Sequence, residues 1–370
     1  MSTRAAMAVL ALAVTLLCAA GTVSVLGRSG GQPGIDRAAR EAGRRFLDRY
    51  VDDGRVVRRD QGGDTVSEGQ AYGMLIAATL GDEEEFRQIW WWTRRHLGRG
   101  DGLLSYRWRD GSVVDPQSAA DADLDAAYAL VLASRRFDDP VLERDAADLA
   151  QAILDHEAVP TADVGLGGGG LVLAAGPWAV DGDGRTAIVN PSYLSPVAYG
   201  ELRVTTGVDG AWMRLDDGSY ALVRQLTGGS RLPPDWLRAD KDDGITPIGS
   251  PREPDATPYH GLDAARTTVR AAASCDARWR TLAASLVDVY PRRAELGDRL
   301  TLDGRSAAEG RNPVMLVAAA AAAHAAGHDG ARAALLAEAE RLERAHSTYY
   351  GAAWIALGRM WLQTGQAGCG

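Results

Sequence analysis

Lysine is almost missing from this chain. Lys241 stands alone among 370 residues, and arginine carries nearly all the positive charge. Asp and Glu number 49 against 40 Lys and Arg, giving a formal net charge of -9. No stretch gathers basic residues densely enough to track a phosphate backbone, which argues against nucleic acid as a partner. A phosphate-cradling loop is also missing: residues 165–170 are glycine-rich but have no lysine and no following helix. Metal-ligand spacing is thin. His324 and His328 stand four apart without an evident third ligand, and Asp181-Gly-Asp183-Gly lacks the later glutamate of a calcium loop. No metal or other cofactor is expected. Alternating apolar and polar runs long enough for a central sheet are absent, which excludes a sheet-centred fold.

What is present is ordinary in bulk, 46% hydrophobic and 24% charged, and long enough for a large core. Residues 5–27 carry no charge and lie between Arg4 and Arg28, the length of a membrane anchor or a long signal peptide. The rest of the chain is therefore expected outside the cytoplasm, secreted or anchored through this segment. Residues 28–34 read as a short linker and residues 35–366 as one domain, expected to be monomeric. Beyond Cys18, two cysteines remain, Cys275 and Cys369, which in an oxidising compartment either pair or stay separate. Ten Trp and eleven Tyr stand against three Phe. A flat apolar face with a polar edge suits sugar stacking, although drift in composition and ordinary core use explain it equally.

Helical periodicity predicts about twelve helices. Among them are Ser67–Leu80, Ala122–Phe137, Pro140–His156, Pro191–Thr206, Leu262–Ser274 and Asp276–Tyr290. Gly-, Pro- and Asp-rich stretches separate some of them, and residues 158–190 have the turn chemistry for a short hairpin between residues 170–175 and 178–189. This pattern predicts an all-α fold of six helical hairpins closed into a ring, with long loops gathered at one end.

Three acidic positions stand out. Glu68 follows a capping-type Ser67 and is followed by Gly69, Ala71, Tyr72, Gly73, Met74 and Leu75, which are small or apolar. A carboxyl packed there has its charged form disfavoured, which suits a general acid. Asp121 opens another helix, four residues before Asp125 and on the same face; Asp123 points elsewhere. Acids complementing the helix dipole are the simpler account of Asp123 and Asp125. Asp263 has Arg266 three residues on, close enough to brace a carboxylate, although a plain surface ion pair has the same spacing.

Six segments occur in order: Ser67-Glu-Gly-Gln-Ala-Tyr-Gly-Met74, Asp101-Gly-Leu-Leu-Ser-Tyr-Arg-Trp108, Ala120-Asp-Ala-Asp-Leu-Asp-Ala-Ala-Tyr-Ala129, Asn190-Pro-Ser-Tyr-Leu194, Pro234-Asp-Trp236 and Asp263-Ala-Ala-Arg266. In order and spacing the set resembles glycoside hydrolase family 8 across roughly residues 36–365. The resemblance implies an (α/α)6 barrel and inverting hydrolysis of a β-1,4-linked polysaccharide, cellulose or another β-glucan first. Chitosan, xylan, a mixed-linkage glucan, or glycan binding without turnover are the alternatives. It implies Glu68 as proton donor, Asp263 as base and Asp121 against the distorted sugar, with Arg266 and Tyr193 orienting base and water. Gln70 and Tyr72 join the substrate-binding or base-orienting candidates, and Trp108 and Trp178, on loops, are candidate stacking platforms. Trp90, Trp91 and Trp92 cannot all face one way, so at least two are structural. The family pattern has Ser or Thr where this chain has Ala120, and Tyr where it has Leu262; Tyr259 is near enough to compensate.

Overall fold

The computed structural model describes residues 35–363. The apolar N-terminal segment, the linker and Cys369 lie outside the described residues, and among these no helix is long and apolar enough to cross a membrane. Twelve α-helices are found among the described residues: α1 (Arg37–Tyr50), α2 (Ser67–Leu80), α3 (Glu83–Leu97), α4 (Ala120–Phe137), α5 (Pro140–His156), α6 (Pro196–Thr206), α7 (Asp209–Thr227), α8 (Leu262–Ala272), α9 (Ala277–Ser285), α10 (Pro313–Ala325), α11 (Asp329–Ala345) and α12 (Tyr349–Gln363).

Local chemistry sets their ends. The side chains of Asp36, Asp82, Asp139, Ser195, Asp276 and Asn312 accept backbone N–H groups at helix starts. Pro140, Pro196 and Pro313 follow three of these caps, where a missing N–H costs nothing. Gly81 and Gly207 close α2 and α6 with positive φ, which a side chain would resist.

The even-numbered helices pack in a closed cycle: α2 on α4, α4 on α6, α6 on α8, α8 on α10, α10 on α12, and α12 back on α2. The odd-numbered helices lie against them from outside, α1 on α12 and α2, α5 on α4 and α6, α11 on α10 and α12. Burial follows this division. Every residue of α2 except Glu68 is buried, and in α10 the run from Pro313 to Ala323 is buried throughout. A helix covered on all sides reads as apolar all round; α1, by contrast, buries only the stripe Ala39, Ala42, Gly43, Phe46, Leu47 and Tyr50. The alanine run of α10 lets its neighbours approach closely.

Small antiparallel sheets fill the connections that lead into inner helices. β1 (Val51–Asp52) and β2 (Arg55–Val56) form a hairpin. β3 (Thr65–Val66), β4 (Arg107–Arg109) and β5 (Ser112–Asp115) form a second sheet. β6 (Ala158–Pro160) pairs with β7 (Leu171–Leu173), and β8 (Thr186–Val189) pairs with β9 (Trp236–Asp240), which pairs with β10 (Gly244–Ile248). The hairpin expected within residues 170–189 does not form, because each half finds a partner elsewhere in the chain.

Two helices are shorter than the periodicity predicts by more than a turn. The expected helix Pro191–Thr206 breaks into a 3-10 turn at Pro191–Tyr193 and then α6. Pro196 lacks an N–H and pushes Ser195 out of the helical region, so the chain restarts there with Ser195 as cap. The expected helix Asp276–Tyr290 ends at Ser285. Cys275 is disulfide-bonded, and both other cysteines of the sequence lie outside the described residues.

Candidate active site

Five inner helices bring their N-terminal ends to one place. Glu68 lies in the first turn of α2 and Asp121 in that of α4; Asn190, Ser192 and Tyr193 precede α6; Asp263 and Arg266 open α8; Tyr350 opens α12. The residue at the centre is Arg266, whose side chain has no exposure. Its Nη1 donates to Asp121 Oδ2 at 2.6 Å and to the Tyr72 hydroxyl at 2.8 Å. Its Nη2 donates to Ser192 Oγ at 2.7 Å and to Asp263 Oδ1 at 3.4 Å. Glu68 Oε1 stands 3.7 Å from Nη1. The planar fork of one guanidinium therefore spans three carboxyl groups. It also limits their spread, since Glu68 Oε1 and Asp263 Oδ1 lie 3.7 and 3.4 Å from the same guanidinium.

Local sequence explains how each group is aimed. Val66, extended, precedes the first turn of α2, so Ser67 is a helical residue and not the cap its type suggests; its hydroxyl has no hydrogen-bond partner among the described residues. Gly69 is required for close approach, since a Cβ there would lie 2.9 Å from the Tyr349 hydroxyl. Asp235 fixes the start of α8: its Oδ1 accepts from Gly261 N at 3.0 Å and Ala264 N at 2.7 Å. A Cβ on residue 261 would collide with that carboxyl, so Gly261 admits the cap. Burial and the nearby Asp263 charge push Asp235 up to about 7.

Glu68 and Asp263 differ in environment. Glu68 is 17% exposed and Asp263 37% exposed in their side chains. Burial pushes the Glu68 carboxyl well above the usual carboxylate range, the Asp121 charge pushes further, and Arg266 opposes both. The helix N-terminus also favours a charged Glu68, but desolvation outweighs it. Asp263 lies closer to solvent. Its Oδ2 accepts from Asn190 Nδ2 at 3.4 Å, and its Oδ1 faces the Tyr350 hydroxyl at 3.5 Å as well as Arg266. Tyr106 sits near Glu68, whose charge is the main reason its phenol titrates above its ordinary range.

Several sequence expectations change at this point. Gln70 does not reach the cleft: it is fully buried, its Oε1 accepts from Val56 N at 2.5 Å and its Nε2 donates to Gly54 O at 3.0 Å and Thr93 Oγ1 at 2.8 Å. It ties α2 to the β1–β2 hairpin and to α3. Tyr72 is buried as well, with its hydroxyl on Arg266. Tyr193 is nearly buried and lies under the guanidinium, 5.5 Å from ring centre to Cζ; Trp236 packs its edge against the Tyr193 ring at 5.9 Å. Trp108 is half-buried, with Arg55 over its ring at 4.6 Å and Trp92 against its edge at 5.3 Å, so one face is already occupied. Trp178 is 41% exposed and donates its Nε1 to Ser118 O at 3.0 Å. The Tyr259 ring lies under Arg299, and it is the Tyr350 hydroxyl that faces Asp263 Oδ1.

Asp123 and Asp125 are not surface acids serving the dipole. Asp125 is bound bidentately by Arg270 at 2.6 and 2.7 Å, both side chains 1% exposed. Asp123 accepts from Leu104 N at 2.8 Å, and nearby Glu157 accepts from Ser118 Oγ at 2.8 Å. The second oxygen of each, Asp123 Oδ2 and Glu157 Oε2, has no partner among the described residues. Burial pushes Glu157 up to about 8, with the Asp121 charge adding to it, and pushes Asp123 well above its usual range, with the Glu157 charge adding there.

Asn190, Ser192, Tyr350 and Tyr106 are the contributors that residue-by-residue reading missed. Asn190 and Ser192 lie in a segment that was prominent for its tyrosine, and nothing in the local sequence around Tyr350 sets it apart from a core aromatic.

Comparison with known proteins adds the following. The family profile described as Glycosyl hydrolases family 8 matches residues 37–363. A protein of Novacetimonas hansenii named as a probable endoglucanase is 32% identical over 253 residues, which is 64% of this chain and 69% of that protein. An endoglucanase of Pseudomonas fluorescens is 34% identical over 158 residues, 40% of this chain and only 38% of that protein. Among solved structures, the endo-β-1,4-glucanase CMCax of Acetobacter xylinum superposes with a TM-score of 0.70 at 27% identity, covering 87% of this chain and 97% of that one.

Proposed function

Because this chain belongs to glycosyl hydrolase family 8, we propose that it is an endoglucanase that cuts internal β-1,4 bonds of a β-glucan with inversion, in an (α/α)6 barrel closed by the even-numbered helices. The observation that carries the reading is the set of three carboxyl groups around one buried arginine, with Glu68 17% exposed in its side chain and Asp263 37% exposed.

The chemistry follows from that asymmetry. Cleaving a glycosidic bond with inversion requires a proton on the leaving oxygen and a hydroxyl on the opposite face of the anomeric carbon. Glu68, whose acid form is favoured because its charge is desolvated, gives its proton to the leaving oxygen as the carbon–oxygen bond breaks. Asp263 removes a proton from water, whose oxygen forms the new bond to the anomeric carbon. An inverting pair stands roughly 6.5–9.5 Å apart to leave room for that water. Asp121, held by Arg266 at 2.6 Å, takes the role of contacting the sugar ring at the cut. Arg266, Asn190 and Tyr350 hold Asp263 in position. The proton that Asp263 gains returns to solvent through its exposed side, and Glu68 is reprotonated for the next turn.

Glu68→Gln and Asp263→Asn test these roles. Each should abolish reducing-end release from carboxymethylcellulose while leaving the fold intact, and a substrate panel with chitosan, xylan and mixed-linkage glucan identifies the polymer. Retained activity in either variant would remove the assignment. We further propose that the enzyme works outside the cytoplasm, supported by the uncharged stretch at residues 5–27 and by the disulfide at Cys275.

A further inference from the structure

We propose a second glucan-binding site on the outer face of α3, centred on Trp91 and lined by none of the catalytic carboxyls. The inference rests on the β-glucan reading above.

The starting point is how the chain uses its tryptophans. Trp90, Trp212, Trp279, Trp354 and Trp361 are buried, and Trp92, Trp108 and Trp236 are half-buried against other rings. Trp91 is 73% exposed, the most exposed large apolar side chain among the described residues. Its neighbours on the helix account for the arrangement. Phe86, Ile89, Trp90, Thr93 and Leu97 form the buried stripe of α3. Gln88, Trp91, Trp92, Arg95 and His96 follow the complementary spacing and form the outer one. Charged residues normally occupy such a face; here it carries two indoles. With Asp53 from the β1–β2 turn, these five line an open groove.

The composition of the groove selects its ligand. An indole face supplies the flat apolar surface on which a pyranose ring stacks. The Gln88 amide, the Arg95 guanidinium, the Asp53 carboxylate and the His96 imidazole are planar groups that exchange hydrogen bonds with ring hydroxyls. One acid and one arginine offset each other, so the groove favours neither an anionic nor a cationic ligand. A neutral chain of flat, hydroxyl-rich rings fits this description; a bilayer would require a wider apolar patch or a basic one. The groove is also rigidly tied to the active site. Trp92 stacks on His96 at 4.5 Å and meets Trp108 edge-on at 5.3 Å. Trp108 lies on β4, β4 is hydrogen-bonded to β3, and β3 runs directly into Ser67 and Glu68. A chain held on Trp91 is thereby fixed relative to the carboxyl that cuts it.

The test uses the full chain carrying Glu68→Gln, so that polymer is bound and not cut, in native gels with and without hydroxyethylcellulose. Adding Trp91→Ala should weaken retardation about tenfold in apparent affinity, which is about 1.4 kcal/mol, and Trp91→Tyr should keep most of it. In the chain with Glu68 restored, Trp91→Ala should hydrolyse a short cello-oligosaccharide at the parent rate. Unchanged retardation of Trp91→Ala would overturn the proposal. So would a parallel loss of oligosaccharide hydrolysis, which would make Trp91 part of the cleft, or a shift in sedimentation without a change in glucan affinity, which would make the groove a protein contact. If the unaltered enzyme cleaves neither oligosaccharide nor polymer, the endoglucanase reading itself fails; a fault confined to the Trp91 site leaves that cleavage intact.

Discussion

Removing the guanidinium of Arg266 tests the architecture of the site through its stability. Arg266→Met keeps the length of the side chain but leaves Asp121, 1% exposed, without the partner that reaches it at 2.6 Å. Breaking a buried ion pair from one side destabilises a protein by about 3–5 kcal/mol, because the remaining charge is uncompensated. A domain stable by about 5–15 kcal/mol should survive this with a lower urea midpoint. Asp121→Asn alone should cost less, about 1.5–3 kcal/mol, since Arg266 still has Asp263 and Glu68 within reach. The double variant buries neither charge. Its loss should therefore fall short of the sum of the single losses by at least about 2 kcal/mol. Urea unfolding followed by tryptophan fluorescence gives all four corners of the cycle. Additivity to within about 0.5 kcal/mol would show that Asp121 and Arg266 are not a coupled buried pair, and the electrostatic account of the site would then fail with it.

Other expectations follow from the same geometry. The raised carboxyl of Glu68 should set the alkaline limb of kcat/KM: activity needs the protonated form, so the rate falls as pH rises through that raised value, and the limb should lie above the ordinary glutamate range. A limb that stays in place when Tyr106, Asp121 or other groups facing Glu68 are altered would detach it from Glu68. Glu157 should make the fold sensitive to alkali. Its folded value of about 8 lies above the ordinary 4.5, so its contribution is complete below about 4.5 and is lost as pH rises through about 8. Glu157→Gln should therefore flatten the decline in melting temperature across that window, and parallel declines in variant and parent would refute the buried-acid reading.

Much of this arrangement was legible before any coordinates, and the reasons differ by element. The ranges Ser67–Leu80 and Pro140–His156 coincide with α2 and α5, because strong local signals mark their ends: Gly81 with positive φ after one, Asp139 and Pro140 before the other. The break before α6 was missed because a long apolar period continues across Pro196, and the conformational cost of that proline is a local effect that periodicity does not register. The strand pairings of residues 158–190 were misread because β8 finds β9 about fifty residues away, a contact that no local pattern specifies. At the site, Glu68 was conspicuous as the one acid of an otherwise apolar helix, and Arg266 by its spacing from Asp263. The company they keep was not. Arg266 reaches Asp121, Tyr72 and Ser192 on three other segments of the chain, and Gln70 looked like a cleft residue until its amide proved to be tied to β1–β2 and α3. Polar residues in an apolar run mark burial with a partner; which partner is decided by tertiary packing.

The central claim is that Glu68 and Asp263 act together as an inverting pair on a β-linked glucan. Proton NMR of a soluble cello-oligosaccharide during the first minutes of digestion tests it most directly, because the new reducing end is observed before mutarotation equilibrates it. The account predicts that the α-anomer accumulates first and the β-anomer only afterwards. A product that appears first as the β-anomer would mean retention, and would contradict the assignment of Asp263 as a base acting through water.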